Sequence, residues 1–303
     1  MIETRLLVQF VAVAEELHFN RAAQRLHMAQ PPLSQAIRRL EQTLGASLFE
    51  RTNRSVALTP AGVSFLESAK EVLRALDEGV EKTRRVSQGI EGHLTLTFIS
   101  IVGYAPLLRA LNAFRTDFPS VSFTMMEATT QEQTEALEQG RADLGFLRAP
   151  GRSAPGLHFD TLLREPYMLA LPATHRLAHS ETLHLSAFKN DSFVSAPRHL
   201  GQGFHDQLIQ LCGAAGFIPH ITQQARQLQT LVALVASGFG VALLPASLAH
   251  EARENVVFRS FSVDAPTELQ YVELLMGWNG HTTSLIRDKL IEVIRRAMPT
   301  SAD

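Results

Sequence analysis

Leu6, Leu7, Phe10, Val11, Val13, Ala14 and Leu17 place a broad apolar stripe on residues 3–16. That pattern predicts a helix wide enough on its apolar side to pack against two others. Phe19 follows and is expected in the same core. The next stretch, Asn20 to Glu41 (NRAAQRLHMAQPPLSQAIRRLE), predicts two short helices joined by a tight turn. Asn20 is expected to be the N-cap of the first. Ala22, Ala23 and Leu26 give that helix a small apolar face, and His27-Met28-Ala29-Gln30 makes the turn. Pro31 and Pro32 suit the start of the second helix, where a missing N–H costs nothing. Leu33, Ile37 and Leu40 then recur at i, i+4 and i+7 as one buried stripe. The opposite face carries Ser34, Gln35, Arg38 and Arg39, donors that suit base edges and phosphates. This stretch fits an ordinary amphipathic hairpin as well as a DNA-reading helix-turn-helix, so the flanks must decide.

The flanks favour DNA. Gly45 ends the second helix, and Leu48-Phe49 with Val56-Ala57-Leu58 predicts a short hairpin. Its tip, Arg51-Thr52-Asn53-Arg54-Ser55, is polar and basic, as expected of a wing beside a recognition helix. Thr59 and Pro60 cap and open a helix running to about Ser87. In it Leu66, Ala69, Leu73, Leu76, Val80 and Thr83 alternate at spacings of three and four over a charged outer face. Such a seam predicts pairing with a second copy of the chain, which would place two recognition helices on two half-sites. The alternative is that the stripe packs on its own domain.

Beyond Gly89 and Gly92 the period changes. Strands are predicted near 93–99, 121–126, 144–147, 167–171, 192–194, 218–222, 241–244 and 269–277. Helices are predicted near 106–114, 130–139, 204–212, 227–237 and 282–298. Thr130 is expected to cap its helix in a capping box with Gln133. The alternation predicts parallel α/β sheets in two small lobes, with ligands at strand C-termini facing helix N-termini. The expected fold is therefore α/β with an all-α N-terminal part. Its expected domains are a winged helix-turn-helix over 1–58, a linker and dimerisation helix over 59–88, and a two-lobed α/β ligand-binding domain over 92–303. Within the last, lobe I takes 92–163 and 267–303, and lobe II takes 164–266.

Composition narrows the classes. The 303 residues are 45% hydrophobic with net charge −2, which excludes a disordered chain and a polycation. The basic charge is local: residues 20–59 hold six arginines (21, 25, 38, 39, 51 and 54) against Glu41 and Glu50. Cys212 is the only cysteine and sits in apolar LIQLCGAAGF, so it is expected in the core. His175 and His179 have metal-like i, i+4 spacing but no third ligand, so no metal, cofactor or catalytic residue is expected. The opening MIETRLL runs straight into a helix, and the longest apolar run, Leu231 to Pro245, is broken by Ser237, Gly238 and Gly240. A cytoplasmic protein with no membrane partner is expected. An adaptor that dimerises without DNA would leave the donor-rich face of residues 30–39 unexplained.

FNRAAQRLHMAQPPLSQAIRRLEQTLGASLFERTNRSVALTPAG resembles the winged helix-turn-helix of the LysR-type transcriptional regulators. QEQTEALEQGRADLGFLR and LVASGFGVALLPAS are similar to their effector region, and AQPPLSQ to the benzoate and muconate regulators of aromatic catabolism. The resemblance implies a two-lobed effector domain of the periplasmic-binding-protein type. It also implies double-stranded promoter DNA bound at an inverted repeat, a small-molecule inducer, contact with RNA polymerase, and assembly to a dimer and then a tetramer. The positions it assigns to DNA are Asn20, Gln30, Pro31, Pro32, Ser34, Gln35 and Arg38, with Arg51 and Arg54 in the wing. Dimerisation falls to Leu66, Ala69, Leu73, Leu76 and Val80. The inducer, a small carboxylate or aromatic-pathway metabolite, is expected near Ser100, Ile101, Thr129, Thr130, Gln202, Gly203 and Phe204. Ile101 is less polar than the benzoate and muconate pattern. Arg148 follows a strand end and is expected either at the cleft or in a surface ion pair.

Overall fold

The computed structural model describes residues 2–52, 55–99, 104–251 and 254–298. The chain forms two compact units, Met1–Val86 and Ser87–Asp303.

In the first unit, α1 (Thr4–Glu16), α2 (Phe19–Arg25) and α3 (Gln30–Leu44) close around Phe10, Val13, Leu33, Ile37 and Leu40, all buried. The N-cap of α2 is His18 rather than Asn20. His18 Nδ1 accepts from the amides of Asn20 (3.2 Å) and Arg21 (3.5 Å), so an imidazole supplies the cap and Asn20 lies exposed inside the first turn. Gly45, at φ 68°, ends α3 in the left-handed conformation that glycine adopts without strain. The wing is the antiparallel pair β1 (Phe49–Arg51) and β2 (Val56–Leu58). Thr59 caps α4 (Pro60–Ser87) by accepting from Gly62 N at 2.9 Å. Gly62 is required there, because a Cβ would sit 2.1 Å from the Leu48 carbonyl oxygen.

The seam of α4 divides. Ala69 is buried, and Leu66 and Leu73 pack with it on the helix-turn-helix core, as the alternative reading had it. Leu76, Val80 and neighbouring Val72 remain 48%, 43% and 52% exposed.

In the second unit the expectation of purely parallel sheets fails. β3 (Gly92–Phe98) is parallel to β4 (Val121–Glu127) and β5 (Leu144–Leu147). The remaining strands are β6 (Leu157–Pro172), β7 (Ser192–Ser195), β8 (His220–Gln224), β9 (Ala242–Pro245), β10 (Val256–Arg259) and β11 (Tyr271–Asn279). β11 is antiparallel to β5 and to residues 157–166 of β6, while residues 167–172 of β6 pair antiparallel with β9 and β10. One sixteen-residue strand therefore runs from one half of the unit into the other. Its first part, absent from the sequence reading, mixes buried and half-buried positions without a clean alternation. β7 pairs parallel with β8 and bridges to β9 at Phe193 and Val241.

α5 (Ala105–Asp117) and α9 (Leu285–Ala297) cover the β3–β5 half, around Leu96, Leu107, Phe114, Phe146 and Leu290. α6 (Thr130–Glu138) packs on β5. α7 (Gln202–Ala214) and α8 (Leu228–Ala236) cover the other half, around Leu169, Phe193, Leu211, Val235 and Leu243. Cys212 is fully buried and burial pushes its thiol up to about 12, so it is core as expected. His175 stacks on Phe188 and meets Asp191 at 3.3 Å, and no metal-binding cluster exists among the described residues.

Candidate nucleic-acid face and ligand cavity

The second helix of the hairpin begins one residue before Pro31, with Gln30 at its first position. Its outward face shows Pro31, Pro32, Gln35 and Arg38 exposed and Gln30 and Ser34 half-buried. The two arginines of α3 differ. Arg39 donates to Glu3 Oε1 at 3.1 Å, whereas Arg38 has no carboxylate partner among the described residues. Arg51 is not a free wing cation. It pairs with Glu41 Oε2 at 2.8 Å and lies 4.9 Å over the Phe19 ring. Glu41 also accepts from Leu48 N (2.9 Å) and Phe49 N (3.2 Å), so one carboxylate near the end of α3 fixes the start of the wing. Arg54 lies outside the described residues.

The second unit holds a cavity of about 330 Å³ between its halves. Thr129 and Thr130, the start of α6, form one wall, and Gln227 and Leu228, the start of α8, form another. Gly201 and Phe204 bring the start of α7 to the same space. Three helix N-termini thus converge, and their positive dipole ends favour an anion; in α6 the amides of Gln131 and Glu132 are already taken, by Leu200 O at 3.2 Å and by Thr129 Oγ1 at 3.4 Å. Gln202 and Gly203 do not line this cavity, although Gly203 lines a second one nearby. Ser100 and Ile101 lie outside the described residues. Ile99, just before them, is in the wall.

The cap of α6 is Thr129, one residue earlier than expected. Thr129 Oγ1 accepts from Glu132 N, and Glu132 Oε2 accepts from Thr129 N at 2.8 Å and Thr129 Oγ1 at 2.9 Å. Gln133, expected in the box, is instead fully buried. It donates to the carbonyls of Ala128 (3.0 Å) and Phe146 (3.1 Å) and accepts from Thr97 Oγ1, tying α6 to the sheet. Thr130 is thereby released from capping and is 5% exposed in the cavity wall. Three links cross between the halves beside it: Arg226 to Glu132 at 2.5 Å, Gln227 Nε2 to Glu127 Oε1 at 3.0 Å and Gln131 N to Leu200 O at 3.2 Å. Burial opposes ionisation of Glu132, but the Thr129 and Arg226 hydrogen bonds outweigh it and hold the carboxyl below its ordinary value.

Arg148 is neither exposed nor in a surface pair. It is 5% exposed, and its Nη2 donates to Tyr104 Oη at 2.6 Å and meets Glu165 Oε1 at 3.4 Å. Tyr104 donates to the same carboxylate oxygen at 2.8 Å, and Ser247 N to its second oxygen at 2.6 Å. Burial raises Tyr104, keeping it a neutral donor. Arg148 Nε and Nη1 have no hydrogen-bond partner among the described residues although both are buried. Leaving such donors unmet is costly, so an arriving acceptor has a definite place to gain free energy.

Comparison with known proteins places both units. Residues 4–63 match the bacterial regulatory helix-turn-helix of the lysR family, and residues 87–297 match the LysR substrate binding domain. The chain belongs to the LysR family of transcriptional regulators. Its relatives include the uncharacterized HTH-type transcriptional regulator YnfL of Escherichia coli, 41% identical over 81% of this chain and 83% of that one. The HTH-type transcriptional regulator AlsR of Bacillus subtilis is 36% identical over 85% of each chain. Among solved structures, full-length CbnR complexed with its target DNA superposes with a TM-score of 0.78 at 28% identity, covering 98% of this chain and all of that one. As a LysR-family regulator the chain binds DNA through its helix-turn-helix and an effector through its substrate domain, and its relatives are regulators rather than enzymes. No helix among the described residues is long and apolar enough to cross a membrane. Sequence reading of this regulator missed Arg226, Gln227, Tyr104 and Glu165. The first two were findable, since the β8–α8 turn obeys the rule that pointed to Thr129 and Thr130.

Proposed function

We propose that this regulator reads an inverted-repeat promoter site as a dimer of dimers and responds to a small carboxylate, such as an aromatic-pathway metabolite, in the cavity between its halves. Gln30, Ser34, Gln35 and Arg38 approach bases and phosphates, with Pro31 and Pro32 setting the helix start and Asn20 and Arg54 on the backbone. Leu76 and Val80 join two copies. A carboxylate would sit at the positive ends of α6 and α8 and accept from the Thr130 hydroxyl and the N–H groups of Arg148 that lack partners among the described residues. Because those groups belong to both halves, a bound anion favours one arrangement of the halves over others. That bias passes through the assembly to DNA bending and to RNA polymerase.

The observation that carries the ligand class is the pair of buried Arg148 nitrogens without a partner among the described residues, beside converging helix N-termini. A thermal-shift screen of aromatic and aliphatic carboxylates on the full chain tests it. A ligand at about 100 times its dissociation constant stabilises by about 2.7 kcal/mol, an easily read shift. Thr130→Val should remove most of that shift. A panel that shifts nothing, or a shift indifferent to Thr130→Val, would refute the carboxylate reading.

A further inference from the structure

Arg148 also lines a second cavity, of about 280 Å³, which shares only Arg148 and Phe204 with the first. We propose that this second cavity binds a zwitterionic α-amino acid through Glu273, Arg164 and Arg148. It shares Arg148 with the carboxylate reading and is told apart from it at Glu273 and Arg164, which line only this cavity.

The cavity lies against the antiparallel ladder of β6 and β11, where Arg164 and Glu273 stand directly opposite each other. Opposite charges at facing positions are within reach of one another and normally pair. Here they do not. Arg164 has no carboxylate partner among the described residues and lies 4.8 Å over the Tyr271 ring. Glu273 is half-buried, and no cation or donor meets its carboxylate among the described residues. Exposed Arg164 and half-buried Glu273 are thus both open to a ligand, and the two buried nitrogens of Arg148, without partners among the described residues, are costly to leave unmet.

The wall around these charges is stiff. Gln207 Nε2 donates to the carbonyls of Leu269 (3.1 Å) and Tyr271 (2.6 Å), and its Oε1 accepts from Tyr167 Oη at 3.0 Å, so that amide is fully committed. A Cβ at Gly203 would lie 2.3 Å from the Ala149 carbonyl oxygen, so only glycine allows this close wall. Phe204 and Val272 supply an apolar side.

Charge of both signs selects the ligand. A simple anion meets repulsion from Glu273 and Glu268, and a simple cation meets it from Arg164 and Arg148. A molecule with ammonium and carboxylate on one carbon satisfies both at the short spacing that facing strand residues provide. The remaining volume and the Phe204 and Val272 surface leave room for its side chain.

Isothermal titration of the full chain with the proteinogenic L-amino acids tests the proposal. At least one should bind saturably. Its deaminated acid and its decarboxylated amine should each bind about tenfold weaker or worse, the equivalent of one lost charge-assisted contact. Glu273→Gln and Arg164→Gln should each weaken the amino acid about tenfold, Arg164→Lys should retain most of the affinity, and Thr130→Val should leave it unchanged. Thermal melts confirm that each variant is folded. Absence of saturable binding across the panel, or equal affinity in wild type, Glu273→Gln and Arg164→Gln, would overturn the assignment. Loss of carboxylate binding without loss of amino-acid binding, or the reverse, separates this site from the first cavity.

Discussion

Arg38 and Arg148 do opposite things with the same guanidinium. Arg38 stands exposed on a helix, with no ion pair among the described residues, in a unit whose outer face is available to a large anionic partner. Arg148 is enclosed, half satisfied by Tyr104 and Glu165, and can be reached only by something small enough for a cavity. The first costs the fold almost nothing while it waits. The second is maintained by Tyr104 and Glu165, from different parts of the chain, with Ser247 N holding the carboxylate. If Arg38 meets DNA and Arg148 an effector, as proposed, the two kinds of recognition load the protein's stability very differently.

The sharpest way to break the comparison is Glu165→Gln. Removing one partner of a buried pair leaves Arg148 uncompensated and should destabilise the C-terminal unit by about 3–5 kcal/mol in urea unfolding. An unchanged midpoint would mean Arg148 is not held by charge at all. On the exposed side, Leu76→Asp should weaken self-association by about 3 kcal/mol in sedimentation equilibrium, because the seam would bury a charge. Leu73→Asp should act differently, unfolding the N-terminal unit, since Leu73 packs on its core. Arg38→Ala should cost about 1–3 kcal/mol of operator affinity in gel shifts at fixed salt while leaving the melting curve intact. Arg39→Ala, already paired with Glu3, should cost less. The smallest effect concerns Glu132, whose folded value is lowered from 4.5. Its stabilisation is complete above that ordinary value and lost as pH falls through the lowered one. Both partners are half exposed, so the wild type should lose under about 1 kcal/mol more than Glu132→Gln on acidification. Parallel pH profiles would remove Glu132 from the cross-half link.

Legibility followed the same divide. The DNA face is made from neighbours in sequence, so its period, prolines and donors appear together between Asn20 and Glu41. The cavity gathers residues 99, 127–130, 148, 196, 200, 201, 204 and 226–228, and only the helix-start rule linked any of them beforehand. Cap positions slipped by a residue or two because His18 and Thr129 compete well with Asn20 and Thr130 for the same role. Arg148 could be noticed but not placed, since its burial depends on Glu165, a carboxylate seventeen positions away on an unexpected strand. The parallel-sheet expectation failed for a related reason: pairing direction is set by where β11 returns, and no local pattern encodes that.

The long strand β6 has a consequence for how such a protein can be rebuilt. Its first ten residues pair with β11 and its last six with β9 and β10. A boundary between the two halves therefore falls inside a hydrogen-bonded ladder and not in a loop. Chimeras that exchange one half for a relative's must splice through paired backbone and match register on both sides. Exchange of whole units near Val86 asks for nothing of the kind. Recombination within this chain is accordingly cheap between reader and sensor, and expensive within the sensor.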